Sequence, residues 1–264
     1  MKKKIITLTT DFGSADAYSA VMKGVILKIN PDVSFIDVTH CVKPYSVFSG
    51  NYILYSAFKY FPENSIHIAV VDPGVGSGSR DAIIVEFKKH IFICPDNGLL
   101  SLVLSEQSDY YAYKINEKKL SDKLKNKRVI SNTFHGRDVF APAAAFISMN
   151  NNYESFSEKT DSIYFLPFLK NIFRQNEILT KILHIDSFGN IILNIKKNTL
   201  ANRIIANIKI KNKNIDQFVK TYSAIKKIAC LFGSENFLEI SMKEKSAAEF
   251  LNCKIEEDVT VELI

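Results

Sequence analysis

The feature that most limits the fold is a change of period along the chain. Up to about Met149, short apolar runs alternate with stretches whose apolar residues recur at helical spacing. Beyond about Lys181 only short strand-like runs and turns remain. Strands are expected at 4–10, 33–38, 65–71, 82–87 and 90–94, the last two joined by a Lys88-Lys89 turn. Helices are expected at 15–29, stopping at Asn30-Pro31, at 49–60, stopping before Pro62, at 97–105 and at 140–149. Strands alternating with helices build a mostly parallel α/β sheet. The later runs, at 182–185, 190–195, 204–210, 228–232, 238–241 and 259–264, read as a small barrel or sandwich. The segment 151–176 carries few regular signals. The expectation is an α/β N-terminal domain over 1–165 with a mostly parallel central sheet, a linker over 166–180, and a smaller all-β, barrel-like C-terminal domain over 181–264.

The 264 residues are 47% hydrophobic, enough for one large core or two modest ones. No apolar run reaches the roughly 18 residues needed to span a bilayer. The basic Met-Lys-Lys-Lys start is followed by only Ile5 and Ile6 before polar residues, so no signal-peptide core is present and a cytoplasmic protein without a membrane partner is expected. The net charge of +6 admits a nucleic-acid partner in principle. The lysines are scattered, however, and the densest basic stretches, 118–128 and 208–213, lack interleaved aromatics for base stacking, so none is expected. Neither Cys41, Cys94, Cys230 and Cys253 nor the five histidines show metal-ligand or redox spacing, so no metal and no disulfide are expected.

Three polar, glycine-bearing loops follow strands, where open α/β sheets bind ligands. In the first, Thr9 to Ser14, the Asp11 carboxylate suits the two hydroxyls of a ribose; equally, Asp11 or Ser14 can cap the next helix. The second, Val71 to Arg80, holds Gly74, Gly76 and Gly78, a spacing that fits neither a dinucleotide fingerprint nor a P-loop. Asp72 ends a very apolar strand and needs a partner. Arg80 is the candidate, either for chemistry or to brace a turn. The third, Thr133 to Asp138, places His135 ahead of a helix, as a proton-transfer group or as a structural histidine. In the β region, Asp186, Phe188 and Asn190 form a further polar turn, and Gly233 to Ile240 reads as a turn entering a strand. The pattern alone supports a two-domain protein with a small-molecule site.

Five motifs in order extend across nearly the whole chain: Leu-Thr-Thr-Asp-Phe-Gly at 8–13, Val-Asp-Pro-Gly-Val-Gly-Ser at 71–77, Pro-Asp-Asn-Gly-Leu-Leu at 95–100, Thr-Phe-His-Gly-Arg-Asp at 133–138 and Phe-Gly-Asn at 188–190. Together they resemble the S-adenosylmethionine hydroxide adenosyltransferases, relatives of the fluorinases and chlorinases. The resemblance implies hydrolysis of S-adenosyl-L-methionine at ribose C5′, with water or hydroxide as nucleophile, adenosine and L-methionine as products, and no cofactor. It implies a catalytic set of Asp72, Arg80 and His135. Asp11 matches the carboxylate that holds the ribose diol. Tyr45 stands where the halogenating relatives pack a Trp on the substrate. Asp186, Phe188, Asn190 and Ser234 match positions around the methionine end, and Met242 and Glu244 match positions whose main chain reads adenine. It also implies a homotrimer, with sites between the N-terminal domain of one subunit and the C-terminal domain of the next.

Some positions depart from the family pattern. The glycine loop is one residue longer than usual, which makes Arg80 rather than Ser79 the catalytic arginine. Glu235 stands where the halogenases have Arg. Gly136 and Asp72 stand where the fluorinase has Ser and Tyr, and the Lys88-Lys89 turn leaves no room for the halogenases' long loop; these argue for water over halide.

Overall fold

The computed structural model describes residues 3–74, 80–105, 109–124, 130–150, 152–167, 170–201 and 203–264. They form two compact units, Met1–Leu166 and Pro167–Ile264. Among the described residues no helix is long and apolar enough to cross a membrane.

The first unit runs β1 (Lys4–Thr10), α1 (Tyr18–Ile29), β2 (Val33–Thr39), α2 (Val47–Phe58), β3 (Ile66–Val70), β4 (Ala82–Phe87), β5 (His90–Pro95), β6 (Tyr111–Ile115), α3 (Glu117–Lys123), a π-helical turn (Gly136–Phe140), α4 (Ala141–Asn150) and β7 (Ser157–Thr160). Its sheet has the order β2-β1-β3-β5-β4-β6-β7. The half from β2 to β5 is parallel. The half from β5 to β7 is antiparallel. Side-chain alternation divides the core in two. Ile66, Ile68 and Val70 of β3, with Ile91 and Ile93 of β5, pack under α1 and α4. Ala69, Val71, Phe92 and Cys94 face the other way, toward Leu54 and Phe58 of α2. Strands covered on both faces are mostly apolar, which is why they stand out in the sequence.

The expected helix at 97–105 is instead a run of turns. Gly98 takes φ +92, and the Asn97 side chain is committed to the Val71 carbonyl (2.8 Å) and the Leu99 N–H (3.3 Å). Helix α1 starts at Tyr18, not Ala15, and its first turn receives no side-chain cap. Asp11 and Ser14 are therefore not its caps, and the capping alternative for the first loop fails. Strand β7 falls in the stretch without regular signals; its Ser-Glu-Lys-Thr sequence is polar and is held by pairing with β6.

The second unit comprises β8 (Ile172–Phe173), β9 (Glu177–Ile185), β10 (Ile191–Lys196), β11 (Ile205–Ile210), β12 (Lys213–Ile215), β13 (Ile228–Phe232), β14 (Phe237–Met242), α5 (Ala247–Leu251) and β15 (Asp258–Leu263). The strand order is β12-β11-β15-β9-β10-β14-β13, with β8 on β9. Strand β9 serves two neighbours: residues 177–181 pair with β15 and 182–185 with β10. Beyond β12 the chain returns to β13, with Cys230 N–H on the Gln217 carbonyl (2.8 Å) and Val219 N–H on the Cys230 carbonyl (3.0 Å). This nearly closes the sheet into a barrel around Ile182, Ile191, Leu193, Ile208, Leu238 and Val261. Strand β8 and the first residues of β9 occupy the stretch where the linker over 166–180 is expected.

Candidate active site

The parallel half of the first sheet delivers its loops to one end. Asp11 follows β1, Tyr45 lies beyond β2, and Asp72 follows β3. These three line a cavity of about 330 Å³ with Phe12, Tyr18, Pro44, Val70 and residues 133–136. It lies at the C-terminal ends of the strands, as expected for an open α/β sheet. Asp11 Oδ2 accepts the Tyr45 N–H at 2.9 Å. Tyr45 takes φ 66, a conformation unusual for a residue with a Cβ, and the residue is 73% exposed.

The Asp72 carboxylate is only 7% exposed. Its Oδ1 accepts from Arg80 Nη1 at 2.8 Å and from the Gly74 N–H at 3.0 Å. Arg80 lies so close over Gly74 that a Cβ there would sit 3.0 Å from Nη1. Asn97, through the Val71 carbonyl, braces the residue before Asp72. Residues 75–79 of the glycine loop, including Gly76, Gly78 and Ser79, lie outside the described residues.

His135 immediately precedes the π-helical turn and gives that turn no side-chain cap. Such irregular turns recur at functional sites. The turn is fastened elsewhere. Arg137 grips Asp138 through two hydrogen bonds of 2.7 and 2.6 Å, and Asp138, 1% exposed, also accepts the Ser131 N–H. A Cβ on Gly136 would lie 2.9 Å from Phe134 Cε2 and 3.1 Å from Met22 Sδ. Phe12, Tyr18 and Phe134 form a ring cluster on the cavity wall, with centroids 5.2–5.9 Å apart. Phe12 and Phe134 sit inside motifs, but their meeting with Tyr18 leaves no sequence signal.

In the second unit, Asp186, Phe188, Asn190, Met242 and Glu244 line a cavity of about 640 Å³ together with Tyr222, Lys245 and Ser246. Asp186 Oδ1 accepts the N–H groups of Phe188 (2.9 Å) and Asn190 (2.8 Å), and Oδ2 accepts Asn190 Nδ2 (2.8 Å). This holds Phe188 at the loop tip, 78% exposed. Ser234 is not part of that lining; it lies in the turn between β13 and β14. Beside that turn, burial pushes the Glu239 carboxyl up, partly offset by the Tyr222 hydroxyl that donates to it at 2.5 Å. Tyr222 falls in a polar stretch with no motif, which is why sequence reasoning missed it. Gly189 takes φ +81, and a Cβ there would sit 2.2 Å from Ser246 Oγ. Gly189→Ala is therefore expected to destabilise the second unit by about 1–3 kcal/mol, read as a lowered urea midpoint. Among the described residues no group of three or more His, Cys, Asp or Glu is placed to hold a metal ion.

Family models decide what kind of protein this is. The N-terminal domain of the SAM hydroxide adenosyltransferases matches residues 6–157, and their C-terminal domain matches 180–260. The chain belongs to the SAM hydroxide adenosyltransferase family. It is 38% identical to an (R)-S-adenosyl-L-methionine hydrolase of Methanocaldococcus jannaschii, over 97% of this chain and 95% of that one. It is 29% identical to a namesake from Thermus thermophilus, over 93% and 94%. A fluorinase of Actinopolyspora mzabensis is more distant, 24% identical over 75% of this chain and 73% of its own. Among solved structures, an uncharacterized conserved protein from Thermotoga maritima superposes with a TM-score of 0.85 at 30% identity, covering 97% of this chain and 99% of that one.

Proposed function

We propose that this protein is a cytoplasmic S-adenosyl-L-methionine hydrolase. Water attacks ribose C5′ opposite sulfur; the C5′–O bond forms, the C5′–S bond breaks with its electron pair going to sulfur, and adenosine, L-methionine and a proton are released. The sulfonium makes methionine a neutral leaving group, so the reaction calls for no cofactor. The observation that carries the reading is the Asp72 carboxylate, nearly buried, oriented by Arg80 and the Gly74 N–H, and facing the same cavity as His135 and Asp11.

Asp72 and His135 orient the water and take its proton. Arg80 fixes the carboxylate, and Asp11 accepts from the ribose diol. Holding water about 3–3.5 Å from C5′ is what such a constellation contributes. Asp186, Phe188, Asn190, Ser234, Met242 and Glu244 complete the substrate site from a neighbouring subunit of a homotrimer. The strong exposure of Tyr45 and Phe188, one in each unit, supports this arrangement. A fully active monomer in sedimentation would refute the shared site.

The test is incubation with each sulfonium epimer of S-adenosyl-L-methionine in ¹⁸O-labelled water, with and without chloride, followed by mass spectrometry. Adenosine bearing ¹⁸O at the 5′ position is expected, from the R epimer if this chain shares the substrate named for its relatives. Unchanged substrate of both epimers would overturn the hydrolase reading, and a 5′-chloro product would replace it with a halide-using one.

A further inference from the structure

We infer that His40 is a positioning residue for Asp11, holding the ribose-binding loop from both its side chain and its main chain. This rests on the reading of Asp11 as the acceptor of the ribose diol. His40 does not line the cavity, and its side chain is only 12% exposed. It lies one residue past the end of β2, beside the end of β1, where the chain turns into Asp11.

Two ties reach the loop. His40 Nδ1 lies 2.9 Å from the hydroxyl of Thr10, the fully buried residue before Asp11. The His40 carbonyl accepts the Gly13 N–H at 2.7 Å. Residues 10 and 13 bracket Asp11, so one histidine fixes both ends of its turn. The Val42 N–H on the Thr10 carbonyl (3.2 Å) adds a third tie from the same segment.

The protons can be ordered along the chain of contacts. Asp37 Oδ1 lies 3.1 Å from His40 Nε2, though off the axis of the ring N–H. Burial works to raise the Asp37 carboxyl, but Lys23 at 2.6 Å and His40 outweigh it and hold Asp37 below its ordinary value. An ionised Asp37 favours the proton on Nε2, and with the proton there Nδ1 is available as the acceptor. Thr10 then donates to Nδ1, and its oxygen is left to accept the Phe12 N–H at 3.4 Å. The hydroxyl thereby links the residues on either side of Asp11. A diol needs two acceptor positions at fixed spacing, so a tilt of this turn weakens diol recognition before anything else.

The test measures binding of adenosine and of 2′,3′-dideoxyadenosine by calorimetry to the full chain and to His40→Ala, His40→Asn and Thr10→Val. His40→Ala is expected to lose about tenfold in adenosine affinity, the scale of one hydrogen bond, with dideoxyadenosine affinity unchanged. His40→Asn keeps an acceptor near Nδ1 and should recover most of the loss. Thr10→Val deletes only the hydroxyl, keeps the shape, and should reproduce the selective loss even if His40→Ala does not fold. Equal loss for both nucleosides, or an unchanged preference in Thr10→Val, would overturn the positioning role. A wild-type protein that binds both nucleosides equally would instead overturn the diol reading of Asp11.

Discussion

Replacing His135 with Ala should slow hydrolysis of S-adenosyl-L-methionine by about 10²–10⁴, the usual worth of a positioned acid or base, while adenosine affinity stays within about threefold. In barrier terms this is about 3–5 kcal/mol. The case rests on a division of labour within the Thr-Phe-His-Gly-Arg-Asp motif. Arg137 and Asp138 fasten the π-helical turn by two short hydrogen bonds, and Gly136 sits against Phe134 and Met22. The imidazole gives that turn no side-chain cap, and His135 lines the cavity together with Asp72. A side chain that does not cap the turn is expected to be removable at small cost in stability, so that the lost rate is attributable to chemistry. Single-turnover kinetics and a urea titration on the same variant would separate the two. Wild-type turnover would remove His135 from the mechanism, and an unfolding loss as large as the rate loss would make it a structural residue.

Legibility from sequence followed the physics of each element. Strands β1, β3 and β5 are largely buried, so apolar residues dominate them even though Thr7, Thr9 and His67 interrupt the runs, and the polar loops after β1 and β3 mark the ligand end of the sheet. Asp11 and Asp72 are therefore expected at that end from the sequence, whereas His135, which follows neither strand, is marked only by its motif. Arg80 was locatable too, because a carboxylate at the end of a buried strand demands a cation. The ring cluster of Phe12, Tyr18 and Phe134 was not, since it joins three segments only in the folded state. The run at 97–105 misled because its apolar spacing is helical, whereas Gly98 and the Asn97 side chain divert the backbone into turns. Strands β6 and β7 lie on the antiparallel side, where β7 is polar and backbone pairing with a neighbour carries the structure. Tyr222 reaches the second cavity from a polar stretch whose conformation depends on the return of the chain to β13.

Acid should destabilise the first unit well before its carboxylates are titrated, and the cause lies far along the strands from the proposed chemistry. His67 on β3 is fully buried, stacked on Phe92 with centroids 5.0 Å apart. Its Nδ1 meets the Thr7 hydroxyl at 2.8 Å and its Nε2 meets His90 Nδ1 at 3.1 Å. The two facing ring nitrogens can share one proton but not hold two, so both rings cannot be charged in this arrangement. Burial, with the charge of His90 adding to it, pushes the His67 imidazole down to about 3. Burial also lowers His90, against an opposing pull from Glu63. In the unfolded chain these rings take a proton near pH 6.5. The folded-state value is depressed, so the stabilisation is complete above about pH 6.5 and is lost progressively as the pH falls toward 3. Each proton taken up only by the unfolded chain costs about 1.4 kcal/mol per pH unit, so a loss of about 2–3 kcal/mol is expected between pH 6.5 and 4.5 from His67 alone. The measurement is urea unfolding across that range for the wild type and for His67→Gln, which keeps polar atoms but does not titrate. The variant should start less stable at pH 7.5 and show a clearly flatter pH dependence. Parallel curves would show that the buried histidine pair does not set the acid limit and would move the cause elsewhere, for instance to His184 in the second unit, which burial pushes down to about 4.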